Sequence, residues 1–368
     1  MANKLSISLV VYNGAAYLPY CLDSIFNQKH NQRQIFILDN GSSDNSPAIV
    51  KEISSGRSNV VILPPEPANI GFAAGHNKII KLCRSEFILL LNQDTILEPD
   101  YIAALINFME VNLSVGAAAG KILRWNFKYA AKSRPFREYR EYDEDYFNKD
   151  GNSDNINSLE YFGKGRDKLT NAGKTDIIDT TGLCLFRSGR VADRGAGEQD
   201  RGQYDATQEV FGVSGCLPLY RLAALRQVGC LDEHFFSYQE DVDLAFRLQV
   251  SGWQAWRVGS AVAYHDRSIG GNEISILIDV VANRRRKPSW TNYLSYRNHL
   301  FILIKDWPAA DFARYGIFIC WYELKKFLYI LLLEQRSLWA WAEVISQLPR
   351  LLAERKKIKS KSVGRWIK

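Results

Sequence analysis

The six cysteines of this chain include no pair at Cys-x-x-Cys spacing. The absence of that spacing removes support for a structural zinc site and for a dithiol redox site. Most of the cysteines stand among apolar neighbours, which is typical of buried thiols in a reducing compartment. They are Cys21, Cys83, Cys184, Cys216, Cys230 and Cys320.

The sequence also lacks a long, uninterrupted apolar run. Its nearest approach, residues 316–333, contains Glu323, Lys325 and Lys326, whereas a membrane-spanning helix needs about 20 predominantly apolar residues. The N-terminal residues enter a strand pattern directly and show no apolar core of a signal peptide. We therefore expect a cytoplasmic protein.

The composition is that of an ordinary globular protein. With 368 residues, 46% of them hydrophobic and 24% charged, the chain has ample material for a large core. That length permits one large α/β domain with an extension, or two domains. The formal net charge of +7 favours an anionic partner such as a phosphate-bearing ligand, an anionic membrane surface or nucleic acid.

Strand and helix patterns alternate over the first 120 residues, an order that builds a mostly parallel sheet with helices on both faces. Such sheets bind ligands beyond the carboxyl ends of their strands. Asp39 and Asp94 each follow a predicted strand, so we expect both at that edge. The predicted strands are residues 5–11, 35–38, 60–63 and 87–91, and the predicted helices are residues 15–28, 47–54, 73–83 and 99–111.

The rest of the chain changes character twice. Residues 124–170 are polar, charged and rich in tyrosine, which predicts an excursion or a mobile loop. Regular elements are predicted again after Ile177, including a helix at 240–250 and a short strand at 261–264. Beyond Tyr293, aromatic and aliphatic residues interleave with lysine and arginine. That pattern favours helices in a membrane interface, and the alternative is an ordinary helical subdomain packed on the remainder.

Polar residues follow two of the predicted strands. The Asp39 carboxylate can accept an N–H from a flat base or hydroxyls from a ribose, and a turn or capping role is equally well supported. In Asn92-Gln93-Asp94, the carboxylate of Asp94 is a natural ligand for Mg²⁺ or Mn²⁺. The alternative for Asp94 is a cap on the next helix.

A glycine-containing stretch, NIGFAAGHN at residues 69–77, precedes a predicted helix. Gly71 and Gly75 permit close approach of the backbone to a ligand, and the helix offers free N–H groups to an anion. Taken alone the pattern is weak, because glycines beside a helix start are common.

Acids and a histidine form the last two groups. Glu240, Asp241 and Asp243 open an amphipathic helix, where acids are favoured by the helix dipole, but three exceed what capping needs. His265 follows the apolar stretch AVAY. A single histidine in such a stretch is more often structural, and it gains weight as a ligand only if the fold brings it to Asp94.

In this order the motifs resemble glycosyltransferase family 2, the inverting enzymes with the GT-A fold, and in particular its rhamnosyltransferase-like and galactofuranosyltransferase-like members, which build bacterial surface polysaccharides. The resemblance covers residues 5–125 and 175–305. The matching stretches are VVYNGAAYLPYCLDSIFNQ, ILDNGSSDNS, NIGFAAGHN, LLNQDT, RGQYDATQEVFGVSG, VGCLDEHFFSYQEDVDLAFRLQVSGW and AVAYH.

The resemblance implies a donor site in which Asp39 holds a uracil or thymine. It implies that Asp94 binds the metal, Mg²⁺ or Mn²⁺, that bridges the donor's diphosphate, and that His265 is a further metal ligand. In the family's Asp-x-Asp motif this chain has Asn92 as the first residue, which reduces the charge available to the metal. The donor-binding residues implied are Val11, Tyr12, Asn13, Asp39, Asn69, Gly71, Asn92, Gln93 and Asp94.

The resemblance also implies the catalytic residues. Asp241 is the general base that removes the proton of the acceptor hydroxyl as that oxygen attacks the anomeric carbon. Glu240, beside it, is the second catalytic residue implied.

The predicted fold is α/β, a GT-A nucleotide-diphospho-sugar transferase fold with a Rossmann-like, mostly parallel central sheet flanked by helices. We predict a catalytic domain at residues 1–290, with a variable excursion at 124–174. A helical, aromatic and basic extension at 291–368 is predicted to associate with a membrane.

The predicted function is metal-dependent, inverting transfer of a sugar such as rhamnose or galactofuranose. The donor is dTDP- or UDP-linked, and the acceptor is a glycan, lipid-linked, in cell-surface polysaccharide synthesis. We expect a peripheral protein at the inner face of the cell membrane that touches an anionic surface through its C-terminal region. The alternative is a catalytically inactive, nucleotide-sugar-binding scaffold subunit. Nucleic acid is not expected as a partner, because acids at strand ends repel phosphate in the absence of a metal.

Overall fold

The computed structural model describes residues 3–128, 173–267, 284–285, 287–358 and 362–368. The predicted excursion therefore lies almost entirely outside the described residues. The strands are β1 (Leu5–Val11), β2 (Arg33–Asp39), β3 (Val60–Ile62), β4 (Phe87–Leu91), β5 (Thr95–Leu97), β6 (Val115–Trp125), β7 (Lys174–Thr180), β8 (Leu183–Leu185), β9 (Val191–Asp193), β10 (Gln208–Val210), β11 (Leu219–Arg221) and β12 (Gln254–His265).

In the first part of the chain the helices alternate with strands, and in the last part they follow one another directly. They are α1 (Leu18–Phe26), α2 (Ser46–Ile53), α3 (Phe72–Leu82), α4 (Tyr101–Val111), α5 (Leu222–Val228), α6 (Glu240–Val250), α7 (Ser289–Lys305), α8 (Ala309–Leu333) and α9 (Trp339–Lys357). Short 3₁₀ turns lie at Glu233–Phe235, Gln335–Leu338 and Gly364–Trp366.

A mixed sheet forms the centre of the described structure, in the order β10-β12-β6-β11-β4-β1-β2-β3, with β5 on β12 and β7 on β6. The neighbours β3, β2, β1 and β4 run parallel, as do β6 and β12. Buried aliphatic side chains cover both faces of this sheet. The predicted α/β architecture with C-terminal helices is confirmed.

The strand register brings the predicted site residues to one edge. Val11 pairs with Asp39, and Leu9 pairs with Leu91, so β1, β2 and β4 end at nearly the same level. The chain turns polar at each of these ends because the next residues leave the apolar interior of the sheet. Asp39 and residues 92–94 therefore face the same cleft edge, as the sequence predicted.

The strand β6 was missed by the sequence analysis, and β12 was predicted only in part. β6 reads VGAAAGKILRW, which is poor in the β-branched and aromatic residues that usually indicate a strand. Its small residues are required by close packing: a Cβ on Gly120 would lie 2.2 Å from the carbonyl oxygen of Ala261. Tertiary packing here overrides local propensity.

The C-terminal helices pack against the face of the sheet domain that carries α6. Phe235, Phe246, Phe301 and Trp307 belong to the shared apolar cluster. The predicted domain boundary after residue 290 falls inside α7, and the division into two domains stays a prediction. In the part of the chain described, no helix combines the length and apolarity needed to cross a membrane.

A buried group of charges joins these helices to the rest. Lys305, 3% exposed, places its Nζ 2.6 Å from Asp232, 2.5 Å from Asp243 and 3.4 Å from Glu354. Asp243 is fully buried and also pairs with Arg247 at 2.6 Å. This carboxylate, which the sequence groups with Glu240 and Asp241, is thus engaged in internal ion pairs.

Replacement of Lys305 by Ala should lower the free energy of unfolding by about 3–5 kcal/mol, because the carboxylates of Asp232 and Asp243 lose a buried counter-charge. Urea unfolding followed by circular dichroism measures the change. The matched control is Lys325→Ala, which removes an exposed lysine on α8. Equal unfolding midpoints for the two variants would contradict the assignment.

Candidate active site

The end of β1 is braced by a side chain from the end of β4. The backbone N–H of Tyr12 donates to Gln93 Oε1 at 3.0 Å, and Gln93 Nε2 donates to the carbonyl of Tyr12 at 2.9 Å. A Cβ at Gly14 would lie 2.1 Å from the same Oε1, so glycine makes room for this brace. Gln93 holds the two strand ends together. The side chain of Val11 is fully buried, so that only its backbone is available to a ligand.

The last residue of β2 carries an acceptor atom to which no described residue donates a hydrogen bond. Asp39 is 9% exposed, and its Oδ2 accepts the N–H of Ser42 at 3.2 Å, whereas its Oδ1 is buried and has no hydrogen-bond partner among the residues described. Asn13, in a left-handed conformation with φ 48°, accepts the N–H of Ser43 at 2.8 Å. Because buried acceptors are nearly always satisfied, Asp39 Oδ1 is suited to a donor group of a ligand.

The loop before α3 is held from two sides. Asn69 Oδ1 accepts from Asn40 Nδ2 at 3.1 Å and from the N–H of Gly71 at 2.8 Å. Gly71 has φ 91°, and a Cβ there would lie 2.6 Å from the carbonyl oxygen of Phe236. That oxygen accepts the N–H of Ala73 at 3.3 Å. The close approach that Gly71 permits is thus to the protein's own loop before α6.

Asp94 and His265 are brought together by a strand pairing. β5 runs antiparallel to β12 with Thr95 opposite His265, and His265 Nε2 lies 3.3 Å from Asp94 Oδ1. His265 is 8% exposed, while the Asp94 side chain retains 20% exposure. The condition under which His265 gains weight as a ligand is therefore met.

Asp179 on β7 is a residue of this site that the sequence analysis missed. Its Oδ2 lies 2.8 Å from His265 Nδ1, and its Oδ1 lies 3.1 Å from Arg267 Nε. Arg267 also pairs with Asp193. The signal that could have found Asp179 is the one that marked His265: a polar residue next to apolar ones, here in the stretch DIIDT.

The charged neighbours of His265 and Asp179 shift the pKa values of both side chains. Burial alone lowers the pKa of His265, but Asp94 and Asp179 outweigh it and hold that pKa well above the usual value. Burial opposes ionisation of Asp179, yet His265 and Arg267 keep the pKa of its carboxyl below the usual range. His265 is thus a cation between two carboxylates, and a metal at Nε2 would replace its proton.

The side chains present fit a divalent cation at Asp94 and His265. The two ligand atoms face each other, and the exposed part of Asp94 leaves room for oxygen ligands from a substrate or water. Asp179, Cys216 and His265 also place ligand atoms within 4.8 Å of one another. Burial raises the pKa of the Cys216 thiol to about 12, however, and a protonated thiol is a poor ligand for Mg²⁺ or Mn²⁺.

Asp241 reaches the same cluster through the segment containing Cys216. Its Oδ2 accepts the N–H of Gly215 at 2.7 Å, and the next residue, Cys216, accepts the N–H of Asn92 at 3.1 Å through its carbonyl. Burial raises the pKa of Asp241 to about 6. Burial and the neighbouring Asp241 raise the pKa of Glu240 to about 8. Both carboxyls therefore hold their protons more tightly than exposed acids do, and Asp241 is the more readily ionised of the two.

The loop that leads into Asp241 has an unfavourable backbone that α7 holds in place. Phe236, Tyr238 and Gln239 have φ values of 62°, 71° and 67°, a region that side chains other than glycine rarely adopt. Asn298 Nδ2 lies within hydrogen-bond distance of the carbonyls of residues 235, 237 and 238, at 3.0, 2.9 and 2.7 Å. Arg297 donates to the carbonyl of residue 234. Neither α7 residue carried a signal in the sequence.

Comparison with known families identifies the part of the chain that holds most of these residues. Residues 6–169 match the family model described as glycosyl transferase family 2. The putative glycosyltransferase EpsH of Bacillus subtilis is 36% identical over 97 residues, which cover 26% of this chain and 28% of that protein. The poly(ribitol-phosphate) beta-glucosyltransferase of Bacillus spizizenii is 30% identical over 132 residues, covering 35% and 21%. The chain thus spans only about a quarter of the length of these relatives.

Solved structures extend the likeness of the fold to nearly the whole chain. GalNAc-T7, solved with UDP, GalNAc and Mn²⁺, gives a TM-score of 0.59 at 12% identity over 98% of this chain and 56% of that chain. Staphylococcus aureus TarS residues 1–349, in complex with UDP-GlcNAc, gives 0.51 at 13% identity over 95% and 81%. The GT-A fold that the sequence predicted is confirmed.

Replacement of Asp179 by Asn should weaken Mn²⁺ binding about 10- to 100-fold, because the carboxylate that orients His265 is lost. Electron paramagnetic resonance of free Mn²⁺ in titrations with UDP present measures the affinity. Asp176→Asn, on the exposed side of β7, is the control, and thermal melting checks that both variants fold. Unchanged Mn²⁺ affinity in Asp179→Asn would contradict this positioning role.

Proposed function

We propose that this chain, which belongs to glycosyltransferase family 2, is a metal-dependent, inverting glycosyltransferase of bacterial surface-polysaccharide synthesis. The observation that carries the proposal is the convergence of three acids on one edge of the sheet. Asp39 offers an unpartnered acceptor, Asp94 faces His265, and Asp241 is joined to Asn92 through Gly215 and Cys216. Each has the environment that its proposed role requires.

The donor in this proposal is a UDP- or dTDP-linked sugar, with rhamnose and galactofuranose as candidates. Asp39 Oδ1 accepts the imide N–H of uracil or thymine, a donor group that cytosine lacks. Tyr12, Asn13 and Asn69 surround the base and the ribose in this proposal. Tyr12 is 44% exposed. The brace between Tyr12 and Gln93 keeps this end of the pocket rigid before the donor arrives.

Asp94 and His265 are the proposed ligands of a divalent cation, Mg²⁺ or Mn²⁺. When bound, the cation would neutralise charge on the departing nucleoside diphosphate. An imidazole nitrogen among the ligands favours Mn²⁺, since Mg²⁺ strongly prefers oxygen. Asn92 occupies a position where a second acid would add negative charge to the proposed metal site. Without that acid, His265, held by Asp179, is the remaining support for metal binding at Asp94.

Asp241 is the proposed general base. Its carboxylate removes the proton from the acceptor hydroxyl while that oxygen attacks the anomeric carbon from the face opposite the diphosphate, which inverts the configuration. The N–H of Gly215 fixes Asp241 Oδ2. Burial and the neighbouring Asp241 make Glu240 the weaker acid of the pair, so the negative charge resides preferentially on Asp241.

The acceptor is proposed to be a glycan attached to a lipid, reached from an anionic membrane surface. On α8, the exposed residues Ile317, Trp321, Leu324 and Leu328 follow one another at helical spacing along a single stripe. A second stripe on α9 contains exposed apolar residues with the same spacing, which are Trp341, Ile345, Leu348 and Leu352. Exposed arginine and lysine residues accompany both helices, as expected for contact with anionic lipid.

Replacement of Asp241 by Asn should lower the rate of sugar transfer about 10²- to 10⁴-fold while leaving the affinity for UDP with Mn²⁺ unchanged. Release of nucleoside diphosphate from UDP- and dTDP-sugars, with and without metal, measures the rate. Glu52→Gln, an exposed carboxylate on α2, is the control. Normal turnover in Asp241→Asn would contradict the base, and tight nucleotide binding without any release in the wild type would favour the scaffold alternative.

The pH dependence of the wild type belongs to the same prediction. Because only ionised Asp241 accepts a proton and its pKa is raised to about 6, kcat/KM should rise with pH up to about 6 and level off above it. Glu240→Gln should keep an acid limb, whereas the residual rate of Asp241→Asn should lack one. An acid limb that persists in Asp241→Asn would assign it to another group.

Replacement of Trp321 and Trp339 by Ser should reduce the fraction of protein that sediments with phosphatidylglycerol-containing vesicles about tenfold, because each exposed indole contributes interfacial area. The control pair, Val111→Ser with Leu113→Ser, removes exposed apolar residues at the end of α4. Equal sedimentation of the two double variants would contradict membrane contact. So would a wild-type dimer that dissociates in the Trp321 and Trp339 variant but not in the control.

A further inference from the structure

A cavity of about 790 Å³ lies between β6 and the hairpin formed by β8 and β9. We call it the side cavity. Its volume is in the range of sites that hold small molecules. Its lining includes Arg124, Phe186, Asp193, Arg194, Glu198 and Tyr204.

The side cavity contains cationic atoms that form no hydrogen bond with any residue the structure describes. In the described part of the chain, Arg124 Nε and Nη2 are buried and have no hydrogen-bond partner, although a guanidinium is charged at every physiological pH. Of the lining acids, Asp193 pairs with Arg267 through Oδ2, while its Oδ1 has no hydrogen-bond partner among the described residues. Glu198 accepts from Tyr204 at 3.1 Å. Buried donor atoms are nearly always hydrogen-bonded, so Arg124 is suited to an anion that enters the cavity.

The side cavity shares a wall with the candidate active site. Arg124 on β6 lies directly opposite His265 on β12 in the strand register. Asp193, in the cavity wall, pairs with Arg267, and Arg267 pairs with Asp179, the partner of His265. The carboxylate of Asp193 also contributes to the raised pKa of Asp241. A molecule in the cavity therefore lies beside the His265–Asp179 pair of the candidate active site.

The cavity lies on the side of the site away from Asp39, the residue proposed to bind the uracil or thymine of the donor. In the sheet order, β6 and β2 are separated by β11, β4 and β1, which places Arg124 roughly 19 Å from Asp39 at about 4.8 Å for each step. A nucleotide held at Asp39 leaves the side cavity to the second substrate.

We infer that the side cavity binds an acceptor sugar through an anionic substituent, a phosphate or a carboxylate, which pairs with the guanidinium of Arg124. The inference rests on the proposed function, because it names the class of acceptor for the same site. Arg194 stands in the same lining and adds positive charge. The planar guanidinium can form two parallel hydrogen bonds to either kind of anion.

The test is calorimetric titration of the full chain, saturated with UDP and Mn²⁺, with three probes: glucose 1-phosphate, glucuronate and the uncharged methyl glucoside. We expect at least one anionic sugar to bind at least tenfold more tightly than methyl glucoside. The stronger of the two anionic probes distinguishes a phosphate from a carboxylate. Arg124→Gln should abolish the difference, Arg124→Lys should retain part of it, and Arg226→Gln, an exposed arginine on α5, should not change it.

Three results would overturn the inference. They are equal affinity for all three probes in the wild type, an undiminished preference in Arg124→Gln, and a tenfold loss of UDP affinity in Arg124→Gln, which would assign Arg124 to the donor. If the wild type binds no UDP, the proposed function fails, and the same probes without UDP still decide whether the cavity selects anions. Arg194→Gln replaces Arg124→Gln in the comparison if the latter does not fold.

Discussion

The interaction on which the site depends is the row of charges formed by Asp94, His265 and Asp179. These residues come from three distant parts of the sequence, and the row fixes the ends of β4, β12 and β7 relative to one another. A cationic imidazole between two carboxylates is favourable in a buried place only while all three are present. The same arrangement leaves one carboxylate partly exposed at the cleft, which is where chemistry on a diphosphate would take place.

The C-terminal helices are part of this arrangement, because they hold the loop that precedes Asp241. Three residues in left-handed conformations cost free energy, about 1 kcal/mol or more each. Asn298 and Arg297 on α7 offset that cost with hydrogen bonds to the loop carbonyls. The loop also covers the start of α3 through Phe236. The donor side and the base side of the cleft are thereby connected through one loop that is anchored from α7.

Sequence reasoning located the residues that interrupt apolar patterns, and it failed where the pattern itself was unusual. The strands at 5–11 and 87–91 and the helix at 240–250 were predicted with their observed bounds, because each is a continuous apolar or amphipathic run. β6 was missed because its alanines and glycines satisfy close packing instead of strand propensity. The contact between Asp94 and His265 depends on the short β5. The roles of Asp179, Arg124 and Asn298 depend on residues far away in the chain, which the local sequence does not indicate. The sequence showed Asp243 only as one of three acids in excess of what capping needs, and the position of Lys305 reveals its internal role.

Diffraction at the manganese absorption edge, from crystals grown with UDP and Mn²⁺, tests the central claim most directly. The account predicts one anomalous peak at coordination distance from an Asp94 carboxylate oxygen and from His265 Nε2, with the imide N–H of uracil on Asp39 Oδ1. Manganese bound instead by Asp179 or Cys216, with Asp94 turned away, or uridine bound remote from Asp39, would contradict it.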